Sequence, residues 1–268
     1  MEYISSRQNP KILEAVALKD RKNRKEKGLF FFEGKKLLEE AVARKVELVS
    51  VFVREDRALP EGLPEDCRVF VVSDSVYDKL SEEKSPEGLF CIAKTLDKLQ
   101  KFATIYNSFD FSEGLGKDLL MAVTVQDPGN LGTLIRTAAA FGFGGLILSA
   151  DCADLYHPKT LRGSMGTLFS MPVRIVDDPE DAVRCLQKSG YTVYGTALDR
   201  EARSLPDLDL PEKTCFLFGN EGHGLPDQLL AACDGKVFIP MTDNAESLNV
   251  SAAAAVIAYS VYTKRNGN

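Results

Sequence analysis

Asn130 and Arg136 stand six residues apart in "DPGNLGTLIRTAAAFG" (127–142), whose second half has the pattern of a helix. Leu131, Leu134, Ile135, Ala138, Ala139, Ala140 and Phe141 make that helix apolar on almost every side, which predicts a buried Arg136. An unpaired buried cation costs on the order of 2–3 kcal/mol even on permissive scales, so a compensating partner is expected. An internal salt bridge to an acid such as Glu221 is the structural solution. Two further stretches hold residues of the same kind. "FGNEGHGLP" (218–226) places Gly219, Gly222 and Gly224 around Asn220 and Glu221, and glycine permits positive φ and close backbone approach to a flat ligand. "IPMTDNAESLN" (239–249) puts Glu246, Ser247 and Asn249 at the expected start of the last helix, where Ser and Asn most often serve as caps. A glycine-rich turn is, by default, only a turn. His223 has no identifiable carboxylate partner, which makes it a loop residue rather than a general base.

The common alternatives are missing from the sequence. There is no GxxxxGK[ST], so a P-loop ATPase is excluded. "GFGG" (142–145) leads into a strand rather than out of one, which fails the dinucleotide fingerprint. Neither a nucleophile elbow nor HExxH occurs. The six cysteines form no CxxC, and only two histidines exist, so no structural metal is expected and the thiols should be reduced.

These stretches need elements to hold them. From 119 onward, "LLMAVTVQ", "GLILSA", "PVRIVD", "TVYGTAL", "CFLFGNE" and "KVFIPM" read as apolar strands alternating with helices, closing on "ESLNVSAAAAVIAYSVYTK". Such alternation predicts a parallel sheet covered on both faces, with ligands bound outside the carboxyl ends of its strands. The first 105 residues have a different pattern: a helix over 10–27 stopped by Gly28, a short aromatic strand "LFFFEG", a helix over 35–45, and strands at 48–55, 68–73 and 88–96. A smaller α/β domain (1–105), a polar linker (106–118) and a larger domain (119–268) are expected.

At 44% hydrophobic and 27% charged, the composition is that of an ordinary globular protein. No apolar run is long enough to span a bilayer and no secretory leader is apparent, so a cytoplasmic location without membrane attachment is expected. Charge is unevenly spread. Residues 1–36 carry ten Lys/Arg against five acids, a net +5, which leaves −11 for the rest of a chain whose total is −6. A solvated helix face would explain this, but so would a surface that meets phosphates. Arg7, Lys22, Arg24, Lys25, Lys27 and Lys35 are the candidate contacts.

"NLGTLIRTA", "FGNEGHGL" and "IPMTDNAESLNVSAAAA", in this order and each at a strand end, strongly resemble the SpoU family of RNA 2′-O-ribose methyltransferases, of the knotted SPOUT superfamily. Asn130, Gly132 and Arg136 match its Asn-x-Gly-x-x-x-Arg pattern. "ISSRQNPKI" and "FFFEGKKLLEEA" look like the RNA-binding domain that such enzymes often carry. The resemblance implies a deep trefoil knot, S-adenosylmethionine as cofactor, RNA (ribosomal rather than transfer) as substrate, and a homodimer formed through the larger domain. It implies that the cofactor is held around Leu217, Phe218, Gly219, Asn220, Glu221, Gly222, Ile239, Met241, Ser247, Leu248 and Asn249. It also places Arg136 at the target ribose and its phosphate, with Asn130 as companion. A guanidinium is effectively always protonated, so a phosphate clamp that orients the ribose oxygen is favoured over literal proton abstraction. One departure stands out: Asp243 replaces a glycine common in the family. A tRNA methyltransferase and a non-catalytic RNA-binding or ribosome-assembly factor are the competing readings. A nicotinamide-dependent enzyme is disfavoured by the absent fingerprint.

Overall fold

The computed structural model describes residues 2–96, 99–102 (as backbone), 112–199, 201–220, 222–244 and 246–267, and the chain divides into two compact units. Unit 1 comprises Met1–Asp97 together with Tyr156–Ser170; unit 2 comprises Lys98–Leu155 and Met171–Asn268.

In unit 1, β1 (Glu2–Ile4), β2 (Leu29–Glu33), β3 (Leu48–Arg54), β4 (Arg68–Val72) and β5 (Leu89–Lys94) form one sheet in the order β1-β4-β3-β5-β2. β1, β4 and β3 run parallel, whereas β5 is antiparallel to both β3 and β2. The expected helix over 10–27 is two helices, α1 (Pro10–Ala17) and α2 (Arg21–Lys27). Asp20 causes the break: its carboxylate accepts from the backbone N–H of Lys22 (2.7 Å) and Asn23 (3.2 Å) and starts a new helix. Gly28, at φ 63°, ends α2 in the left-handed region as the sequence predicts. Helices α3 (Lys35–Ala43) and α4 (Asp74–Leu80) complete the first stretch; α4 and β1 are not anticipated by the sequence reading.

The run Phe30–Phe31–Phe32 is buried throughout because β2 is covered on both faces. Phe31 joins Ile12 and Ala15 of α1, Leu18 just beyond its end, and Val76, Tyr77 and Leu80 of α4 in one core cluster. Phe30 stacks on Tyr156 (4.5 Å between centroids) and Phe32 meets Phe169 (5.6 Å). Those aromatic contacts make α6 (Pro158–Ser164) and the following 3-10 turn (Thr167–Phe169) part of unit 1. The sequence pattern groups them with the larger domain instead.

Unit 2 is an eight-stranded sheet in which every pairing is parallel. Its strands are β6 (Leu99–Phe102), β7 (Asp118–Ala122), β8 (Gly145–Ser149), β9 (Val173–Val176), β10 (Thr192–Thr196), β11 (Arg203–Ser204), β12 (Thr214–Phe218) and β13 (Gly235–Phe238). The order is β11-β13-β10-β12-β7-β8-β9-β6. Leu119, Met121, Cys215 and Leu217 pack with Val183 and Leu186 of α7 (Pro179–Lys188) and Leu229 of α8 (Asp227–Ala232). The alternate positions Leu120, Ala122, Phe216 and Phe218 are equally buried, so both faces are covered as expected. Helices α5 (Pro128–Ala140) and α9 (Val250–Asn266) pack side by side. Of the expected linker, 106–111 lie outside the described residues, while Asp118 already belongs to β7.

No disulfide joins the cysteines. Burial pushes the Cys233 thiol up to about 12 and lifts Cys91 and Cys215 well above the usual range, which favours the thiol over the thiolate. Among the described residues no helix is long and apolar enough to cross a membrane.

Candidate active site

β7 and β12 lie side by side, and Val123 N–H donates to Phe218 O (2.8 Å) just where both strands end. The next residue, Thr124, has φ 56°, a sterically costly conformation for a β-branched side chain. Three contacts hold it there. Its N–H donates to Ser149 Oγ (2.8 Å), its hydroxyl to Asp151 Oδ2 (2.8 Å), and its carbonyl accepts from Asn220 Nδ2 (3.0 Å). The strained turn thus fastens the segment leading into α5 to the glycine-rich loop after β12. Within that loop Asn220 and Gly224 exchange backbone hydrogen bonds (3.2 and 2.9 Å), and Asn220 Oδ1 accepts from Gly222 N–H (2.8 Å).

A cavity of about 410 Å³ opens at these strand ends, within the size range of small-ligand sites. Phe218, Gly219, Asn220, Gly222, Ile239, Met241, Ser247 and Leu248 line it, which are eight of the eleven residues singled out for the cofactor. Leu217 is instead a core residue of β12. Glu221 lies outside the described residues. Asn249 is the N-cap of α9, its Oδ1 accepting from Ser251 N–H (2.9 Å). The helix accordingly begins at Val250, and Glu246 and Ser247 precede it rather than open it. The sequence reading missed Thr196, Ala197 and Leu198, which bring the end of β10 into the lining. A signal existed, since β10 is the strand between β12 and β13 and its carboxyl end must face the same crevice. Leu198 is 64% exposed and His223 also borders the cavity. Among the described residues the lining contains neither Lys nor Arg.

Asn130 sits beside the cavity rather than in it. Its Oδ1 accepts from Asn249 Nδ2 (3.2 Å), tying the first turns of α5 and α9 together. Its backbone N–H is capped by Asp127 Oδ1 (2.8 Å). Arg136 differs from expectation. It is exposed, on a strip of α5 with Thr133 and Ala140, and has no ion pair among the described residues. No desolvation cost therefore has to be compensated. The apolar positions that suggested all-round burial include Ala139 and Ala140, which lie on or near this open strip. The guanidinium is available to a ligand instead.

In unit 1, Arg7, Lys22, Lys25, Lys27 and Lys35 are exposed. Arg24 is not: only 4% of its surface remains, and Nη1 donates to the carbonyls of Leu18 (2.7 Å) and Lys19 (2.8 Å). It caps the end of α1, so its assignment to an RNA-contacting set gives way to a structural role. Arg24→Ala should cost about 2 kcal/mol of stability through these charge-assisted bonds, read as a lower Tm. Lys25→Ala, on the exposed side, should leave Tm unchanged.

Residues 118–259 match the SpoU rRNA Methylase family, and residues 9–91 match the MRM3-like substrate binding domain. The chain is 32% identical over 261 residues to the 23S rRNA (guanosine(2553)-2′-O)-methyltransferase RlmP of Bacillus subtilis, covering 97% of this chain and 98% of that one. A tRNA (guanosine(18)-2′-O)-methyltransferase of Thermus thermophilus is 36% identical over 143 residues, 53% of this chain and 72% of that one. Among solved structures, the SpoU methyltransferase AviRb of Streptomyces viridochromogenes, in complex with the cofactor AdoMet, has a TM-score of 0.81 at 26% identity, over 97% of this chain and 100% of that one.

Proposed function

Because the chain belongs to the SpoU rRNA Methylase family, we propose that it transfers a methyl group from S-adenosylmethionine to a ribose 2′-hydroxyl of ribosomal RNA. The observation that carries this reading is the cavity at the carboxyl ends of parallel strands, beside Asn130, whose lining among the described residues includes neither Lys nor Arg. A dinucleotide or nucleoside triphosphate would call for lysine, arginine or a phosphate fingerprint there. A nucleoside that carries a sulfonium in place of phosphate needs none. Leu198, Phe218, Ile239, Leu248 and Ile257 offer apolar walls for an adenine, and the loop at 218–224 offers close backbone.

When bound, S-adenosylmethionine would supply an electrophilic methyl group to the ribose 2′-oxygen, leaving as S-adenosylhomocysteine while the hydroxyl proton passes to solvent. The chain's own task is placement. Arg136, charged and without an acidic partner among the described residues, holds the phosphate next to the target ribose. Asn130 hydrogen-bonds at the reacting centre, and alignment alone removes much of the barrier. The deep trefoil knot is part of this reading. Its support is the chain's membership of the SpoU rRNA Methylase family, the resemblance that implies it.

Ribosomal RNA is favoured over tRNA because similarity to the rRNA enzyme runs the full length, whereas the tRNA enzyme matches about half of this chain. The exposed lysines of unit 1 then serve as phosphate contacts. We place the enzyme in the cytoplasm, a compartment that suits six cysteines joined by no disulfide. The test is methyl transfer from labelled S-adenosylmethionine to ribosomal RNA, transfer RNA and ribosomal particles from cells lacking the gene. Label confined to ribosomal RNA or its particle is expected. Label in transfer RNA alone would favour the tRNA reading, and none in any would favour the non-catalytic one.

A homodimer also belongs to this proposal. Val256, Tyr259 and Tyr262 leave an apolar strip exposed on α9, and Phe141 at the end of α5 touches both tyrosines (6.0 Å each). Such a strip marks an association surface. Light scattering should return twice the 29.5 kDa chain mass. Tyr259→Glu should return the monomer, and an unchanged mass would move the interface elsewhere.

A further inference from the structure

Asp151 lies just beyond the end of β8 and does not line the cavity, yet it anchors the turn beside it. A carboxylate accepts hydrogen bonds and donates none, so both hydroxyls that meet it must donate. Ser149 Oγ gives its proton to Asp151 Oδ1, which leaves its lone pairs for the Thr124 N–H (2.8 Å). The Thr124 hydroxyl gives its own proton to Oδ2 (2.8 Å). The segment that carries Asp151 is itself fixed. Cys152 N–H donates to Ser149 O (3.0 Å), and Ala153 N–H donates to Val125 O (2.9 Å).

Thr124 does not take φ 56° unaided. A β-branched residue in the left-handed region is strained, and it persists there only where its neighbours over-determine it. What the turn achieves is the direction of the Thr124 carbonyl. That oxygen can only accept, so the Asn220 atom 3.0 Å from it is the amide nitrogen. With Nδ2 placed there, Asn220 Oδ1 receives the N–H of Gly222 (2.8 Å). Asn220 and Gly222 both belong to the wall of the cavity.

We propose that Asp151 is a positioning residue for S-adenosylmethionine: its carboxylate holds Thr124 in the left-handed turn, and that turn sets Asn220 and the backbone at Gly222 in the shape the cofactor meets. The consequence for the cofactor rests on the methyl-transfer reading, whereas the contacts do not. Once released, Thr124 returns to negative φ, its carbonyl leaves Asn220, and the loop holds the binding shape only part of the time. Affinity falls by that fraction.

Asp151→Ala should therefore raise the calorimetric Kd for S-adenosylmethionine about 10-fold. Thr124→Val keeps the branched side chain but loses the hydroxyl, so it should raise Kd by a similar factor. The two together should do no more than either alone. The decisive protein carries Asp151→Ala with Thr124→Gly. Glycine adopts positive φ without steric cost, so the turn no longer needs holding and Kd should return close to that of wild type. A carboxylate that merely supported β8 would not be rescued from Thr124, and an unrescued Kd overturns the proposal. So does an Asp151→Ala protein that binds as tightly as wild type. A second readout needs no cofactor. In the ligand-free protein, the Gly222 amide should exchange its proton faster in Asp151→Ala and recover in the double variant. Exchange indifferent to Asp151 overturns the relay even if the wild type binds no S-adenosylmethionine. Exchange that follows the expected pattern in a wild type that does not bind would sink only the function assigned above.

Discussion

Arg136→Ala is expected to lower kcat at saturating RNA by about 10³-fold, the scale of removing a group that acts only at the reacting centre. Tm should hardly move. The side chain is exposed and has no ion pair among the described residues, and exposed substitutions of that kind usually stay within about 0.5 kcal/mol. Affinity for S-adenosylmethionine should also persist, since Arg136 does not line the cavity. Parallel measurement of kcat, Tm and cofactor Kd checks all three. An enzyme that keeps its rate without Arg136 would leave the proposed phosphate clamp without a residue. A collapse of Tm instead would mean that the arginine is structural, as a buried salt bridge would have been.

Gly219→Ala should do damage by another route. A Cβ at this position would lie 2.2 Å from the carbonyl carbon of Gly224, 2.3 Å from its oxygen and 2.4 Å from the nitrogen of Leu225. All three are backbone atoms, so no side chain can swing aside, and the paired bonds between Asn220 and Gly224 must break. Overpacking of this kind costs roughly 2–3 kcal/mol, which corresponds to about 100-fold in the Kd for S-adenosylmethionine by calorimetry. Gly222→Ala is the comparison. Among the described residues its added carbon would meet Asn220 Oδ1 alone, at 3.4 Å, and a much smaller loss is expected. Equal losses would show that the loop tolerates no side chain anywhere, and no loss at Gly219 would place the cofactor outside this loop.

Much of unit 2 was legible from the sequence because its signals are local. Apolar strands alternate with helices, and three unusual stretches follow strands that end in one crevice. What was not legible depends on contacts between distant residues. The aromatic run Phe30–Phe32 announces a strand buried on both faces, but nothing in it says that Tyr156 and Phe169, more than a hundred residues away, supply one of the covers. The basic run after Asp20 looks uniform, yet Arg24 alone turns inward, because the end of α1 leaves two carbonyls within its reach. Alanine misled at Arg136: Ala139 and Ala140 count as apolar in a pattern but border an open strip in the fold. Asn249 is subtler. A cap at a helix start was an obvious reading, and the link to Asn130 could appear only once α5 and α9 were side by side.

The central claim concerns one oxygen atom, and alkaline hydrolysis reads that atom directly. RNA is cleaved by base through attack of the 2′-oxygen on the neighbouring phosphate, and a methyl group on that oxygen blocks the reaction. Ribosomal RNA labelled by the wild-type enzyme from S-adenosylmethionine should therefore release its label in an alkali-resistant dinucleotide, and Arg136→Ala should leave that dinucleotide unlabelled. Label recovered instead in ordinary mononucleotides would place the methyl group on a base and contradict the account.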